Sequence, residues 1–250
     1  MGPTGTAARQ CVAPARTAVA ILVALLWLGT AMAAPSVDPD TISQRMLPCA
    51  ACHGEQGRAS SDGYYPRIAG KPAGYLYRQL LNFREGRRLH AQMSYLLERQ
   101  SDAYLREMAE YFAGLSLPYP PAAPPAVDAA VLRHGLRLVR EGDADRGIPS
   151  CQACHGERLT GVAPDVPGLL GLPYDYLMSQ FGAWQQGNRR AVAPDCMAEI
   201  AHRLRPEEVT ASAAWLASQS MPADTRPAAG FTRPLPMRCG SVGDAAGDQR

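Results

Sequence analysis

Two thiols and an imidazole recur at fixed spacing in this 250-residue chain, as Cys49-Ala50-Ala51-Cys52-His53 and as Cys151-Gln152-Ala153-Cys154-His155. Thiols so placed can bond covalently to a porphyrin edge while the adjoining imidazole takes an axial place on the iron, the attachment pattern of c-type haem. The expectation is two covalently bound haem c groups, tethered by Cys49, Cys52, Cys151 and Cys154, with His53 and His155 as proximal iron ligands. Two such centres on one chain point to one-electron transfer. Zinc sites and thioredoxin-like dithiols also use Cys-x-x-Cys. Zinc would want four ligands from paired knuckles, yet the copies lie 102 residues apart, each with its own His, and a dithiol has no need of the His.

A haem that only shuttles electrons is commonly capped on its distal face by a Met thioether, which raises its potential relative to a second imidazole. Met93 precedes Tyr111 by 18 residues and Met197 precedes Trp215 by 18, so the two are equivalent relative to the last helix of each half. Both follow a glycine, Gly86 or Gly187, in what reads as an irregular loop. Met93 and Met197 are therefore the expected distal ligands. A core role is the alternative for each, since Met is a common gap-filler, and His90 and His202 are the alternative ligands. Each proximal imidazole needs its other nitrogen oriented by an acceptor, and the backbone carbonyls of Pro66 and Pro167 are placed to provide it.

The elements that must position these groups repeat as well. Tyr75-Leu76-Tyr77-Arg78-Gln79-Leu80 matches Tyr176-Leu177-Met178-Ser179-Gln180-Phe181 at an offset of 101, and the apolar residues fall at helical spacing up to Gly86 and Gly187. Each half then has a middle helix and a closing one, over 101–115 and 206–218. Leu105, Met108, Ala109 and Phe112 line one face of the first closing helix, and Val209, Ala213 and Leu216 one face of the second. Arg88 and Arg189 are also repeat equivalents, read either as partners of haem propionates or as solvated surface groups. Five prolines between Pro118 and Pro125 mark a semi-rigid linker.

The expected division is a signal peptide over 1–33, a first domain over 38–117, the linker over 118–127, a second domain over 128–220 and an irregular tail over 221–250. Arg9 and Arg16, the apolar run 18–28 and Ala31-Met32-Ala33 carry the signal-peptide reading, and the run is too short for a membrane anchor. Export to the periplasm agrees with covalent haem attachment. The net charge of +2 implies no strong field for nucleic acid or an anionic membrane. Of seven cysteines, Cys196 and Cys239 are left after the haem tethers and Cys11 of the signal, and in an oxidising compartment they invite a disulfide that would staple the tail to the Met197 segment.

Two Cys-x-x-Cys-His modules, the Tyr-Leu-x-x-Gln helix, a Met-bearing loop and a proline linker together resemble the two-haem cytochromes c of the c4 type over roughly residues 38–220. The resemblance implies an all-α fold of two tandem class I cytochrome c domains, each a few helices around a covalently attached haem. It pairs His53 with Met93 and His155 with Met197 on the irons. It implies a periplasmic carrier passing electrons from a quinol-oxidising complex or a periplasmic dehydrogenase towards a terminal oxidase, with peripheral membrane association left open. The first half departs from the pattern in having little sequence for a first helix, and the extra cysteine pair and Pro-rich tail point instead to a haem relay subunit serving one dehydrogenase. A dihaem peroxidase would need an open sixth position, which two symmetric Met residues oppose. Lys71, Arg78, Arg84, Arg87 and Arg88 form a basic stretch that would either steer an acidic partner or simply solvate its helix.

Overall fold

The computed structural model describes residues 2, 5, 40–60 and 63–243, so the expected signal segment lies, but for two isolated residues, outside the described residues. In the first half the helices are α1 (Ile42–Arg45), α2 (Leu47–His53), α3 (Ala73–Arg84), α4 (Ala91–Leu97) and α5 (Asp102–Gly114). The second half has α6 (Ala129–Arg140), α7 (Cys151–His155), α8 (Tyr174–Gln185), α9 (Cys196–Arg203) and α10 (Pro206–Ser218), with a minimal hairpin of β1 (Gly161–Val162) and β2 (Val166–Pro167) between α7 and α8. No helix among the described residues is long and apolar enough to cross a membrane.

The closing helices form where their caps and apolar spacing place them. Ser101 Oγ accepts the backbone N–H of Tyr104 at 3.2 Å, Asp102 sits in the first turn of α5, and Leu105, Met108, Ala109 and Phe112 are buried along one face. They pack with Leu76 and Phe83 of α3 into the first core. α10 begins with Pro206 in its first turn, but it is buried on more than the one expected face: Ala211, Ser212, Ala214 and Ala217 are enclosed as well. Small side chains allow this, because α6 and α8 both lie against it. A Cβ at Gly135 of α6 would stand 2.0 Å from the Ala211 carbonyl oxygen and 2.8 Å from Trp215 Cβ, so only glycine permits the α6–α10 crossing. The first half has nothing comparable, since its opening helix α1 is four residues long.

The linker has no regular structure over 115–125 and is tied down at its start. Arg67 Nη2 and Nη1 donate to the Leu117 and Pro118 carbonyls at 2.6 and 3.0 Å, and its guanidinium lies 3.9 Å from the Tyr119 ring centroid.

The halves meet along a seam in which the repeat faces itself. Arg88 and Arg189 form an antiparallel bridge: Leu89 N–H donates to the Asn188 carbonyl at 2.8 Å and Arg190 N–H to the Arg87 carbonyl at 2.7 Å. Their side chains cross. Arg88 donates to Gln79 Oε1 at 2.9 Å and Gln180 Oε1 at 2.8 Å; Arg189 donates to Gln180 Oε1 at 2.6 Å and Gln79 Oε1 at 3.3 Å. Arg88 stacks over Phe83 and Arg189 over Trp184, again repeat equivalents. Residues related by the 101-residue offset thus play the same part from opposite sides, which makes the seam pseudo-twofold.

The basic stretch is engaged within the chain, and Lys71 does not lie on the surface. Lys71 is 5% exposed and donates from Nζ to the Gly168 carbonyl at 3.3 Å, across the seam. Arg78 pairs with Asp165, Arg84 with Asp102 and Arg87 with Glu85, while Arg88 serves the bridge. Carboxylates inside the chain thus balance Arg78, Arg84 and Arg87, whereas Lys71 and Arg88 bond neutral oxygens at the seam.

Candidate haem-binding sites

Each Cys-x-x-Cys-His segment folds as a short helix that ends in a glycine with positive φ, Gly54 at 74° and Gly156 at 82°, turning the chain sharply after the imidazole. His53 Nδ1 lies 2.8 Å from the Pro66 carbonyl oxygen, and His155 Nδ1 lies 2.8 Å from that of Pro167. A carbonyl only accepts, so Nδ1 carries the proton and Nε2 keeps its lone pair, the state in which imidazole binds a metal. Burial lowers the pKa of both rings, although the carbonyl contacts oppose it, and so favours the neutral ligand. The expected acceptors are the observed ones.

The four tether cysteines are unpaired with each other, whereas the remaining two are bonded, Cys196 to Cys239. Burial pushes the Cys151 thiol up to about 12 and raises those of Cys49 and Cys154. A working redox dithiol has the opposite property, a depressed pKa. Nor do the described residues gather three His, Cys, Asp or Glu side chains where a metal ion could sit, as a zinc knuckle would.

The distal candidates differ from expectation in one respect. Met93 and Met197 are not in irregular loops; each lies in the first turn of a short helix, α4 and α9. The glycines end the middle helices as expected, and capping residues then restart the chain. His90 Nδ1 accepts the Met93 N–H at 3.4 Å, and Asp195 Oδ1 accepts the Ala198 N–H at 3.1 Å. Met93 packs against the core holding Leu76 and Phe83, and Met197 against the one holding Phe181 and Ala201. The alternative imidazoles have other contacts: His90 caps α4, and His202 is exposed with Nδ1 2.6 Å from the Ala198 carbonyl of its own helix. Met108 is buried in the core as expected.

Two features fit a bound haem. Trp184 Nε1 is buried with no hydrogen-bond partner among the described residues, an orphan donor that a haem carboxylate would satisfy. Beside it Arg189, 6% exposed, bonds neutral oxygens of Gln180, Gln79 and Tyr75 and meets no carboxylate among the described residues, leaving its buried charge unbalanced there. Burial lowers its pKa and neighbouring Arg88 lowers it further, so an anion beside the pair would be strongly favoured. The orphan indole carried no sequence signal beyond its place opposite Phe83 in the repeat.

No family model matches the chain. It is 37% identical over 204 residues to the thiosulfate dehydrogenase electron acceptor of Thiomonas intermedia, covering 82% of this chain and 90% of that one. The crystal structure of reduced recombinant cytochrome c4 from Pseudomonas stutzeri superposes with a TM-score of 0.61 at 27% identity, covering 71% of this chain and 96% of the other. The chain is a dihaem cytochrome c of the c4 family. It therefore carries two covalent haem c groups at its two Cys-x-x-Cys-His motifs, in two class I cytochrome c domains, and is an electron carrier rather than an enzyme. Thiosulfate dehydrogenase from Marichromatium purpuratum in its as-isolated form also superposes on the cytochrome, with a TM-score of 0.61 at 34% identity, covering 69% of this chain and 36% of that longer one.

Proposed function

We propose that the cytochrome takes single electrons from a periplasmic thiosulfate dehydrogenase and passes them on towards a terminal acceptor, with His53 and Met93 on one iron and His155 and Met197 on the other. The observation that supports this most is the duplicated frame: two imidazoles held through Nδ1 at 2.8 Å by equivalent proline carbonyls, each in a half that also presents a Met from the first turn of a short helix. Bound haem supplies one-electron exchange between ferrous and ferric iron. The chain does the rest. Cys49, Cys52, Cys151 and Cys154 tether, the proline carbonyls keep each Nε2 aimed, and packed cores hold both thioethers in place so that neither site changes ligands with redox state. Trp184 Nε1 and the Arg88–Arg189 pair balance haem carboxylates near the seam. Sequence similarity to an electron acceptor of thiosulfate dehydrogenase supports the choice of donor. Domains over 38–117 and 128–220, and export after a signal peptide over 1–33, complete the reading.

The test is reduction of the haem-loaded protein by a thiosulfate dehydrogenase supplied with thiosulfate, followed at the ferrous haem bands. Rapid reduction of both haems is expected, and none would overturn the assignment of donor. Met93→Ala and Met197→Ala should each remove about half of the weak red-end band of Met-bound ferric haem; unchanged spectra in both would overturn the ligand pairs. A relay subunit held permanently by its dehydrogenase is the second reading, favoured by the Marichromatium chain, of which the counterpart of this one forms only 36%. Co-purification of the cytochrome with a dehydrogenase from its own cells would establish it.

A further inference from the structure

The Cys196–Cys239 disulfide has no counterpart in the first half, and it enters the fold one residue before Met197. It ends a strap. After α10 the tail returns over the second half: Asp224 pairs with Arg158 at 3.1 Å, the Arg226 carbonyl accepts from Thr160 Oγ1 at 3.0 Å, and Ala228 lies beside Val162 of β1 as a parallel bridge. From there to Cys239 no hydrogen bond holds it among the described residues. Past the disulfide, Gly240 N–H donates to the Pro194 carbonyl at 2.9 Å and Gly243 N–H to Asp165 Oδ2 at 3.1 Å. The covalent bond is thus the main tie of the strap's far end, and it is made to the first turn of α9.

That turn needs a tie. α9 has eight residues, too few to stand as a helix without tertiary support. Asp195 caps it, also accepting the Ala191 N–H at 2.7 Å, and the disulfide fixes the next residue. Both cysteines are half-buried, so the bond is not sealed inside a core.

We propose that Cys196–Cys239 is a thiol–disulfide exchange site that sets how firmly Met197 is held against the second haem. The proposal rests on Met197 being that haem's distal ligand. The reductant is a protein dithiol of the exported compartment. Its thiolate attacks one Sγ to form a mixed disulfide and release the other cysteine as a thiol; its second thiol then displaces the first cysteine. The dithiol leaves as a disulfide, and Cys196 and Cys239 hold the two electrons and two protons. The first turn of α9 then opens more often, the second iron's sixth position becomes accessible, and the first haem, whose Met93 sits on α4 without a strap, is unaffected. One site of a duplicated protein is thereby adjustable while the other stays fixed.

The experiment uses the full haem-loaded protein in two opened forms: wild type treated with a dithiol, alkylated with iodoacetamide and reoxidised with ferricyanide, and the variant Cys196→Ser/Cys239→Ser. The readout is the rate at which imidazole displaces the sixth ligand of each ferric haem. In both opened forms one haem should bind imidazole about tenfold faster and the other at the wild-type rate. Unchanged rates in the alkylated protein, or a disulfide that a dithiol cannot reduce in the folded state, would overturn the proposal. Met197→Ala separates the two levels. If it leaves the red-end band intact, the ligand reading fails; if it removes half the band while opening the disulfide changes no rate, the ligand reading stands and the exchange site falls.

Discussion

Glu208 offers a quantitative test of how the second half is held together around its haem motif. Its two oxygens accept from Arg146 Nη2 and Nη1 at 2.6 and 3.0 Å, from Arg205 Nη2 at 2.7 Å and from the Arg205 N–H at 2.9 Å. Arg146 lies in the turn just before Cys151, so this carboxylate fastens α10 to the segment leading into the haem motif. The Glu208 side chain is 1% exposed. Burial alone would push the carboxyl up, but the Arg146 and Arg205 hydrogen bonds overcome it and hold it at about 2, against an ordinary 4.5. That difference corresponds to about 3 kcal/mol. Because the folded value is the lower one, the stabilisation is complete above pH 4.5 and disappears as pH falls towards 2. Glu208→Gln should therefore lower the unfolding free energy of the second half by about 3 kcal/mol at neutral pH, measured by urea unfolding of the haem-loaded protein, with the gap to wild type roughly halved at about pH 3. Glu107→Gln is the internal control. Glu107 makes the same two-pronged pair with Arg45, from the closing helix of the first half to the segment before its motif, but is 44% exposed, so its loss should cost under about 1 kcal/mol. Equal effects of the two substitutions, or a Glu208→Gln gap that does not shrink in acid, would refute this account.

Other perturbations have defined outcomes. Gly135→Ala places a methyl against the Ala211 carbonyl and should cost about 2 kcal/mol or more, seen as a fall in Tm. Gln79→Ala and Gln180→Ala each remove an acceptor shared by both seam arginines; each should cost about 1–2 kcal/mol, and a double-mutant cycle should show clear non-additivity, whereas strict additivity would mean that the bridge is not a unit. Opening Cys196–Cys239, which spans 43 residues, should lower stability by about 4 kcal/mol in denaturant unfolding.

Much of the site could be read from residue types and spacing because its chemistry is local. A haem motif is five consecutive residues, and the acceptor for each imidazole follows within 12 or 13 residues, so Pro66 and Pro167 could be named before any fold was known. The middle helices follow from apolar periodicity, and the short first helix of the first half from the lack of sequence for one. Two things depended on distant neighbours. Met93 and Met197 read as loop residues because short helices carry little periodicity of their own; what makes them helical is the cap in front of each and the core beneath. The basic stretch read as a surface feature because its acids and acceptors lie elsewhere in the chain, Asp165, Asp102, Gln180 and the Gly168 carbonyl among them. Charge along a sequence says how many cations there are, and only the fold says which already have a partner.

Lys71 is the only lysine in the chain; every other basic side chain apart from histidine is arginine. It is also buried at the seam, with burial and the nearby Arg67 charge lowering its pKa to about 8. The described surface therefore offers no side-chain amine to acylating reagents. An amine-directed label should reach Lys71 through openings that expose the seam, so the rate of its modification would report how often they occur. The molecule has a built-in single-residue clock for breathing between its haem domains, readable by mass spectrometry without altering one residue.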